Sequence, residues 1–291
     1  VSTPDRHLIA FGTETTIGTT STQDDMYIRW SDQESIDATT SWTPSATNTS
    51  GTQRLADGTR IVSAIRGRDA IYIWTDTSLF IMRFVGAPFV FSFQQVGTNC
   101  GLIGKNAAVE VDGSAYWMSE NGFFRYTGKL DSLACLVEDY VYDDINTVPR
   151  QHIYAGLNNL FGEVTWFYPG SGAASNNRSV TYNYMDSTPE RPVWTTSSLA
   201  RSTWSDSHIF GKPHGTEYDS SATSDTTVGN TDGVTTYFEH ETGVNQIKAG
   251  TSSTIAASIE SGDFDISMAQ GGGADLRGDG ENIMKIRRVL P

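Results

Sequence analysis

Residues 107–126 read AAVEVDGSAYWMSENGFFRY, three short runs rich in apolar and aromatic residues separated by two tight-turn pairs. The pairs are Asp112-Gly113 and Asn121-Gly122, and both dipeptides favour the two-residue turns of β-hairpins. Tyr, Trp, Phe and Val suit a half-buried pleated surface. The stretch therefore predicts three antiparallel strands in succession, and one more strand would complete a four-stranded propeller blade. The predicted strands are 107–111, 115–118 and 123–126.

A short polar pair recurs at a fixed interval along the chain. Each pair is a hydroxyl residue followed by an acid, and each directly follows an aromatic segment. A pair of this kind can hydrogen-bond its own backbone and reverse the chain, so each unit predicts strand, tight turn, strand. The pairs are Ser31-Asp32, Thr75-Asp76 and Ser119-Glu120, which gives two consecutive steps of 44 residues.

This interval predicts the architecture. Repeats of about 40–50 residues with four strands each are typical of β-propellers. We therefore expect an all-β fold, a β-propeller of about five to seven four-stranded blades, in a single domain over residues 1–291. The approximate repeat units are 26–68, 69–112 and 113–160. The chain opens at Val1 rather than at a methionine, and we expect it to be a segment of a longer polypeptide.

Further strand segments follow in a less regular order. They are predicted from runs of β-branched and aromatic residues bounded by Gly, Pro, Asn and Ser. Their ranges are 162–168, 179–184, 207–211, 215–218, 235–240, 258–266 and 282–289.

One stretch departs from this β patterning. From Ser132 to Ile145 the apolar residues recur at spacings of three and four positions, which predicts one short amphipathic helix near residues 132–146. An extended connector whose Val and Tyr residues pair with a blade is the alternative. The apolar residues are Leu133, Leu136, Val137, Tyr140 and Val141.

The composition limits the classes of function. The net charge is −14, which disfavours tight binding to nucleic acid, because that affinity comes from Lys and Arg contacts to phosphate. No run reaches the roughly 20 apolar residues of a membrane helix, so we expect no membrane anchor. The two cysteines, Cys100 and Cys135, make neither a disulfide framework nor a zinc motif, and we expect buried, reduced thiols.

Three carboxylate clusters are candidates for glycosidase chemistry, which needs two acids held about 5–10 Å apart around the scissile bond. Glu239 and Glu241 are separated by one strand residue and would point to the same face. We interpret all these acids as solvated strand or turn residues. The four candidate arginines of a sialidase-type triad are not grouped by any motif. The clusters are Asp143-Asp144, Glu239-His240-Glu241 and Asp263-Phe264-Asp265, and the arginines are Arg66, Arg68, Arg83 and Arg125.

No other pattern indicates a reactive centre. The five histidines His7, His152, His208, His214 and His240 lack metal-ligand spacing. Gly271-Gly272-Gly273 is typical of a flexible turn, and the nearby acids Asp275, Asp279 and Glu281 miss the calcium-loop pattern. We therefore expect no catalytic, cofactor or metal site and no enzymatic activity. The repeated aromatic residues are interpreted as core: Tyr27, Trp30, Tyr72, Trp74, Tyr116 and Trp117.

Eight short segments of the chain belong together: 29–32 (RWSD), 42–44 (WTP), 55–58 (LADG), 73–80 (IWTDTSLF), 99–102 (NCGL), 116–119 (YWMS), 121–124 (NGFF) and 163–168 (EVTWFY). Together they resemble virion proteins of tailed phages. The nearest group is the propeller-bearing tail nozzle or packaged-DNA stabilisation proteins of short-tailed phages, and the likeness covers about residues 26–200. The shared residues are structural, so the resemblance carries over no functional residue.

The resemblance implies a structural protein of the phage tail, a nozzle, hub or adaptor ring. Its expected partners are other tail proteins and further copies of itself, with six-fold symmetry favoured. DNA would pass through the lumen without tight binding, which an acidic surface permits. The expected location is the virion, assembled in the host cytoplasm. Phe84–Phe93 is a candidate contact between subunits, because its apolar residues exceed what one strand face can bury; a connector lying under a blade is the alternative.

Two other functions stay open at this point. A host-receptor module that binds surface glycans would also use many Trp and Tyr residues and Ser/Thr-rich loops. A propeller glycosidase would require hydrolysis of a polysaccharide that depends on Glu239 or Glu241. The assembly state distinguishes the tail ring from the glycan-binding module. Loss of hydrolysis on mutation would identify the glycosidase.

Overall fold

The computed structural model describes residues 1–37, 40–206, 211–219, 234–243, 245–248 and 251–255. The chain divides into two units, 1–242 and 243–291. The described residues form six antiparallel sheets and one α-helix, so the all-β expectation is confirmed. The single domain over 1–291 and the repeat boundaries stay predictions. No helix in the described ranges is long and apolar enough to span a bilayer.

The first two sheets follow one another along the chain, and in each of them the strands pair in sequence order. Sheet 1 contains β1 (Ile9–Phe11), β2 (Tyr27–Trp30) and β3 (Gly51–Arg54). Sheet 2 contains β4 (Ile61–Arg66), β5 (Ile71–Thr75), β6 (Ser78–Gly86) and β7 (Val90–Thr98). Each sheet is therefore a meander, built from hairpins between neighbouring strands.

Sheet 3 contains the stretch 107–126, and its three predicted strands are confirmed. They are β8 (Ala108–Val111), β9 (Ser114–Ser119) and β10 (Gly122–Tyr126), and a fourth strand, β11 (Leu130–Leu133), completes the sheet. Asp112 and Gly113 both have positive φ angles of 48° and 84°, as a type I′ hairpin turn requires.

The later sheets confirm four of the predicted strand segments, namely 162–168, 179–184, 215–218 and 235–240. Sheet 4 contains β12 (Tyr154–Asn158), β13 (Glu163–Tyr168), β14 (Arg178–Asn183) and β15 (Trp194–Ser197). Sheet 5 contains β16 (Thr203–Ser205), β17 (His214–Asp219) and β18 (Val234–Glu239). In the second unit, β19 (Asn245–Lys248) and β20 (Thr251–Thr254) form a hairpin, sheet 6. The predicted strands 258–266 and 282–289, and most of 207–211, lie outside the described residues.

The three aromatic segments spaced by 44 residues occupy equivalent places. β2, β5 and β9 are each the second strand of their own sheet. The predicted tight turn follows β5 and β9 but is wrong for the first unit, where the chain runs from Trp30 to Gly51 before β3 begins. Sheet 2 packs on both of its faces, because successive side chains of a strand point to opposite sides. Ile71 and Ile73 belong to a core shared with sheet 1, whereas Tyr72 and Trp74 belong to a core shared with sheets 3 and 4.

Sheets 2 to 5 also adjoin at their first strands. β4 contacts β8, β8 contacts β12, and β12 contacts β16. Between sheets 3 and 4 the contact includes a parallel bridge from Asn106 to Tyr154, and the amide of Ala155 donates a 2.8 Å hydrogen bond to the carbonyl of Asn106. The first strands of sheets 2 to 5 therefore form one continuous row.

The helix prediction is confirmed in existence and wrong at its start. α1 spans Glu138–Asp144, whereas Leu133 lies in β11 and pairs with Phe123. Leu133 is buried as a strand residue, whereas Leu136 is exposed. The spacing of three between them is therefore not a helical repeat. The Val141 side chain is buried and packs the helix against the core. The Tyr142 hydroxyl donates a 2.6 Å hydrogen bond to the Ser119 carbonyl.

Candidate functional site

The repeated acids hold the sheets to the connections around them. Asp32 accepts hydrogen bonds from the Thr49 amide and hydroxyl, at 2.8 and 2.6 Å. Asp76 accepts the same two bonds from Thr59. Glu120 pairs with the guanidinium of Arg150 at 2.7 Å. The acid of each hydroxyl–acid pair therefore ties its sheet to a neighbouring connection, and we call this arrangement a structural clamp. Each of the three carboxylates is engaged in these interactions.

The hydrogen bonds to these two aspartates also set their acidity. The Thr49 hydroxyl and amide lower the pKa of Asp32 below its ordinary value. At Asp76 burial is the largest single influence and raises the pKa, but the bonds from Thr59 and from further backbone groups together outweigh it, so the pKa is lowered. Both acids are consequently charged near neutral pH, as the clamp needs.

The predicted carboxylate clusters separate in the structure. Glu239 pairs with Lys212 at 3.7 Å, whereas Glu241 accepts a 3.2 Å hydrogen bond from the Asn158 amide. The two glutamates thus have different partners. Asp144 anchors α1 to β14 through a 3.0 Å ion pair with Arg178. Asp263-Phe264-Asp265 lies outside the described residues.

A pair that the sequence did not indicate is Glu163 with Glu241. The side-chain amide of buried Asn158 donates to both carboxylates at 3.2 Å. Burial, and then the charge of Glu241, raise the pKa of Glu163. The residues are 78 positions apart in the chain (241 − 163), so no local pattern could reveal the pair. Neither glutamate lines the cavities described below, and we assign the pair no chemistry.

The candidate arginines are distributed among different places. Arg66 and Arg68 line a cavity of about 310 Å³ together with Asp5 and Asp69. Arg125 lines a different cavity, of about 260 Å³, and pairs with Asp131 at 3.5 Å. Arg66, Arg68 and Arg125 therefore do not form a triad of convergent guanidinium groups.

The described histidines have structural surroundings. His7 is buried, with its Nδ1 2.8 Å from the Ser31 carbonyl oxygen. His152 Nδ1 lies 2.9 Å from the Ala174 carbonyl oxygen, and His214 stacks on Tyr237. No cluster of three or more metal-ligating side chains occurs in the described part of the chain. His208, Gly271-Gly272-Gly273 and the acids after it lie outside that part.

Both cysteines are free thiols. Burial raises the pKa of Cys100, and it raises the pKa of Cys135 to about 12. A thiol with a raised pKa stays protonated and is a poor nucleophile. The carbonyl of Cys100 accepts a 2.8 Å hydrogen bond from the Trp117 indole, so this residue serves packing.

The β6–β7 hairpin extends past its neighbours and ends in an apolar tip. Both strands have nine residues, whereas β5 has five. We define the hairpin tip as residues 84–89. Its side chains Phe84, Val85 and Phe89 are 42%, 54% and 78% exposed. The alternative of a connector buried under a blade is thus wrong for this tip, while Phe91 behind it is buried.

A cavity of about 770 Å³ lies where β12 and β16 begin and the residues before β8 approach them. We name it the strand-end cavity. Its lining comes from five separate parts of the chain, so sequence reasoning missed it. The lining residues are Lys105, Asn106, Gln151, His152, Tyr154, Ala155, Ala174, Ser175, Asn176, Ser202, Thr203, Trp204 and Tyr218.

Comparison with known proteins adds no assignment to this geometry. No protein-family model matches the chain, and no curated protein matches it significantly.

Proposed function

We propose that the chain is a β-propeller scaffold protein of a phage tail, which assembles as a nozzle, hub or adaptor ring in the virion. The observation that carries the propeller is the row of first strands β4, β8, β12 and β16, each opening a meander that packs on the next. In a propeller the first strand of each blade lies nearest the axis, and the blades pack face to face. Sheets 1 to 5 would be successive blades.

The tail assignment is supported by the resemblance of about residues 26–200 to nozzle and packaged-DNA stabilisation proteins. The net charge of −14 suits a ring through which DNA moves, because few cationic contacts would retain the phosphates. The proposed protein is a non-enzymatic scaffold that binds other tail proteins, and it reaches the virion after assembly in the host cytoplasm.

The hairpin tip is the proposed contact between neighbouring copies. Phe84, Val85 and Phe89 form an exposed apolar group on one protruding element, and exposed apolar groups of this kind mark interaction sites. Burying such side chains stabilises an interface by about 25 cal/mol per Å² of apolar area. A head-to-tail interface that closes by rotation gives a ring.

The mass of the purified assembly tests this proposal. Native mass spectrometry should find a closed ring, with six subunits expected, and negative-stain images should show a central opening. Phe89→Ser should shift the protein to monomers. Leu136→Ser is the matched control, because Leu136 is also 78% exposed but lies outside the hairpin tip. A wild-type monomer at high concentration would contradict the ring, and equal effects of the two variants would contradict the contact.

A glycan-binding receptor module is the second candidate function, and the strand-end cavity is the observation that favours it. Such modules would assemble as trimers, so the same mass measurement separates the two candidates. A gel-shift titration with duplex DNA at low salt adds a further check. Tight binding there would contradict a lumen that lets DNA pass.

A further inference from the structure

The floor of the strand-end cavity is a rigid aromatic surface. The Tyr154 ring stacks on Phe167 at 5.0 Å between centroids, and Trp204 packs on the same ring at 5.4 Å. The Trp204 indole also donates a 2.6 Å hydrogen bond to the Leu157 carbonyl. Gly156 makes room for it, since a Cβ there would lie 2.7 Å from the indole. These contacts fix both rings before any ligand arrives.

The rim of the cavity is polar and has free hydrogen-bonding capacity. Asn106 and Gln151 each present an exposed amide, and neither side chain has a hydrogen-bond partner among the described residues. Ser202 and Thr203 add hydroxyl groups to the lining, each of which already has one partner: the Ser202 hydroxyl accepts a 3.1 Å bond from the Tyr218 amide, and the Thr203 hydroxyl lies 2.8 Å from that of Thr216. Amides and hydroxyls both donate and accept, which matches the hydroxyl groups of a sugar.

We propose that the strand-end cavity binds a saccharide through an acidic sugar unit. The apolar C–H face of a pyranose would pack on Tyr154, as ligands do in cavities with aromatic walls and a few polar groups. Trp204 supports this wall, since its own ring packs against Phe167 at 5.4 Å and His240 at 4.6 Å. The volume of about 770 Å³ lies within the usual range for such sites, about 300–1,000 Å³. This inference deepens the second candidate function, the glycan-binding module, by naming the class of sugar, and it does not depend on whether the chain assembles as a ring.

The charge of the lining selects an anionic ligand. Among the described residues, the lining contains Lys105 and no acid, although the chain as a whole has a net charge of −14. Lys105 makes no ion pair within the described ranges, so its ammonium group is available. A sugar carboxylate is the complementary group, because a paired ammonium and carboxylate form a charge-assisted hydrogen bond.

Two matched sugars test the site on the full chain. D-Glucuronate and D-glucose differ only in the carboxylate that replaces the C6 hydroxymethyl group. Titration calorimetry should find binding of glucuronate with a Kd on the order of 1 mM, as small ligands of this size reach, and weaker binding of glucose. Saturation-transfer NMR should show the ring protons of the bound sugar close to aromatic protons. Absence of both signals for both sugars would overturn the site.

Surface variants separate the roles of the lining residues without disturbing the core. Lys105→Gln should weaken glucuronate binding about tenfold and leave glucose unchanged. Lys129→Gln is the control, because Lys129 is an exposed lysine on another hairpin and should have no effect. Gln151→Ala should weaken the binding of both sugars. Equal affinities of the wild type for the two sugars, or equal effects of the two lysine variants, would overturn the acidic-sugar assignment.

Discussion

The indole Nε1 of Trp166 donates a 3.0 Å hydrogen bond to the carbonyl oxygen of Ala107, across the boundary between sheets 4 and 3. Both residues are wholly buried. Sheets 5 and 4 are joined in the same way, by the Trp204 indole and the Leu157 carbonyl. Consecutive sheets are therefore linked by a directional bond in addition to apolar packing.

Trp166→Phe should destabilise the fold by about 2 kcal/mol. The change removes the indole donor and leaves space in the core that the smaller ring cannot fill. The Ala107 carbonyl keeps a 3.1 Å bond from the Met118 amide, which limits the loss. Urea unfolding followed by fluorescence measures the free energy of unfolding.

Trp194→Phe is the control for that experiment. The Trp194 indole also joins sheet 4 to the chain after sheet 3, through the Ala134 carbonyl at 2.8 Å, but this residue is only partly buried. Trp194→Phe should lower the free energy of unfolding by about half as much as Trp166→Phe, because water can reach the Ala134 carbonyl that loses its donor. If the two variants lost equal stability, burial would not be what makes the Trp166 bond important.

The sequence predicted the hairpins well, because turn chemistry and strand pattern agree locally. Asp112-Gly113 lies at the turn that it predicted, whereas the second turn consists of Glu120 and Asn121, one residue earlier than the predicted Asn121-Gly122, because Gly122 already pairs with Ser119 as the first residue of β10. The start of α1 was wrong because Leu133 belongs to a strand whose partner, Phe123, determines its burial. A spacing of three residues cannot distinguish this from one helical turn.

The candidate sites were predicted poorly, since they depend on contacts between distant segments. Glu241 meets Glu163 through Asn158, and the strand-end cavity gathers residues from Lys105 to Tyr218. These positions come together only when the first strands of neighbouring sheets adjoin. For Phe84–Phe93 the excess of apolar residues over one strand face is a local property, but it left both an exposed contact and a buried connector open, and only the structure shows that the tip is exposed.

The clamp at Asp32 makes stability depend on pH in the acid range. The Thr49 hydroxyl and amide lower the pKa of Asp32 from the ordinary value of 3.8. For an acid with a depressed folded pKa, the stabilisation is complete above the unfolded value and is lost as the pH falls through the folded value. Asp32→Asn should therefore cost about 1 kcal/mol at pH 7, and the difference from wild type should shrink below pH 3.8. Urea unfolding at several pH values tests this, with exposed Asp69→Asn as the control without effect.

His240 should make sheet 5 sensitive to mild acid. Burial, and then the positive charge of Arg201, lower the pKa of His240 to about 4 from 6.5. Its Nε2 accepts a 2.9 Å hydrogen bond from Arg201, so the folded state holds a neutral ring. Between these two pKa values the unfolded chain binds a proton that the folded chain does not, so stability falls as the pH drops from 6.5 to about 4.

The loss should reach on the order of 2 kcal/mol. Hydrogen exchange of the β16–β18 amides across this pH range measures it. His240→Gln keeps an acceptor for Arg201 but cannot titrate, so its pH profile should be flatter. Exposed His152→Gln should retain the wild-type slope. A wild-type slope in His240→Gln would refute this assignment.

Gly101 determines how sheet 2 joins sheet 3. The chain around it runs along the turn after β5, with the Cys100 amide bonded to the Thr77 carbonyl and the Leu102 amide bonded to the Thr75 carbonyl. A Cβ at Gly101 would lie 2.1 Å from the carbonyl oxygen of Asp76, and that backbone atom cannot rotate away. Gly101→Ala must therefore separate the two segments and break both hydrogen bonds.

We expect Gly101→Ala to destabilise the protein by about 3 kcal/mol, from steric overlap together with the lost bonds. Gly113→Ala is the comparison, because a Cβ there meets open space and only the positive φ of 84° opposes it, at about 1 kcal/mol. Thermal unfolding of both variants distinguishes the two costs. If the proposed ring forms, Gly101→Ala should also weaken its assembly, because Gly101 lies in the connection from sheet 2 to sheet 3, whereas Gly113→Ala should still assemble. A Gly101→Ala variant as stable as Gly113→Ala would mean that the two sheets are not held together at this point.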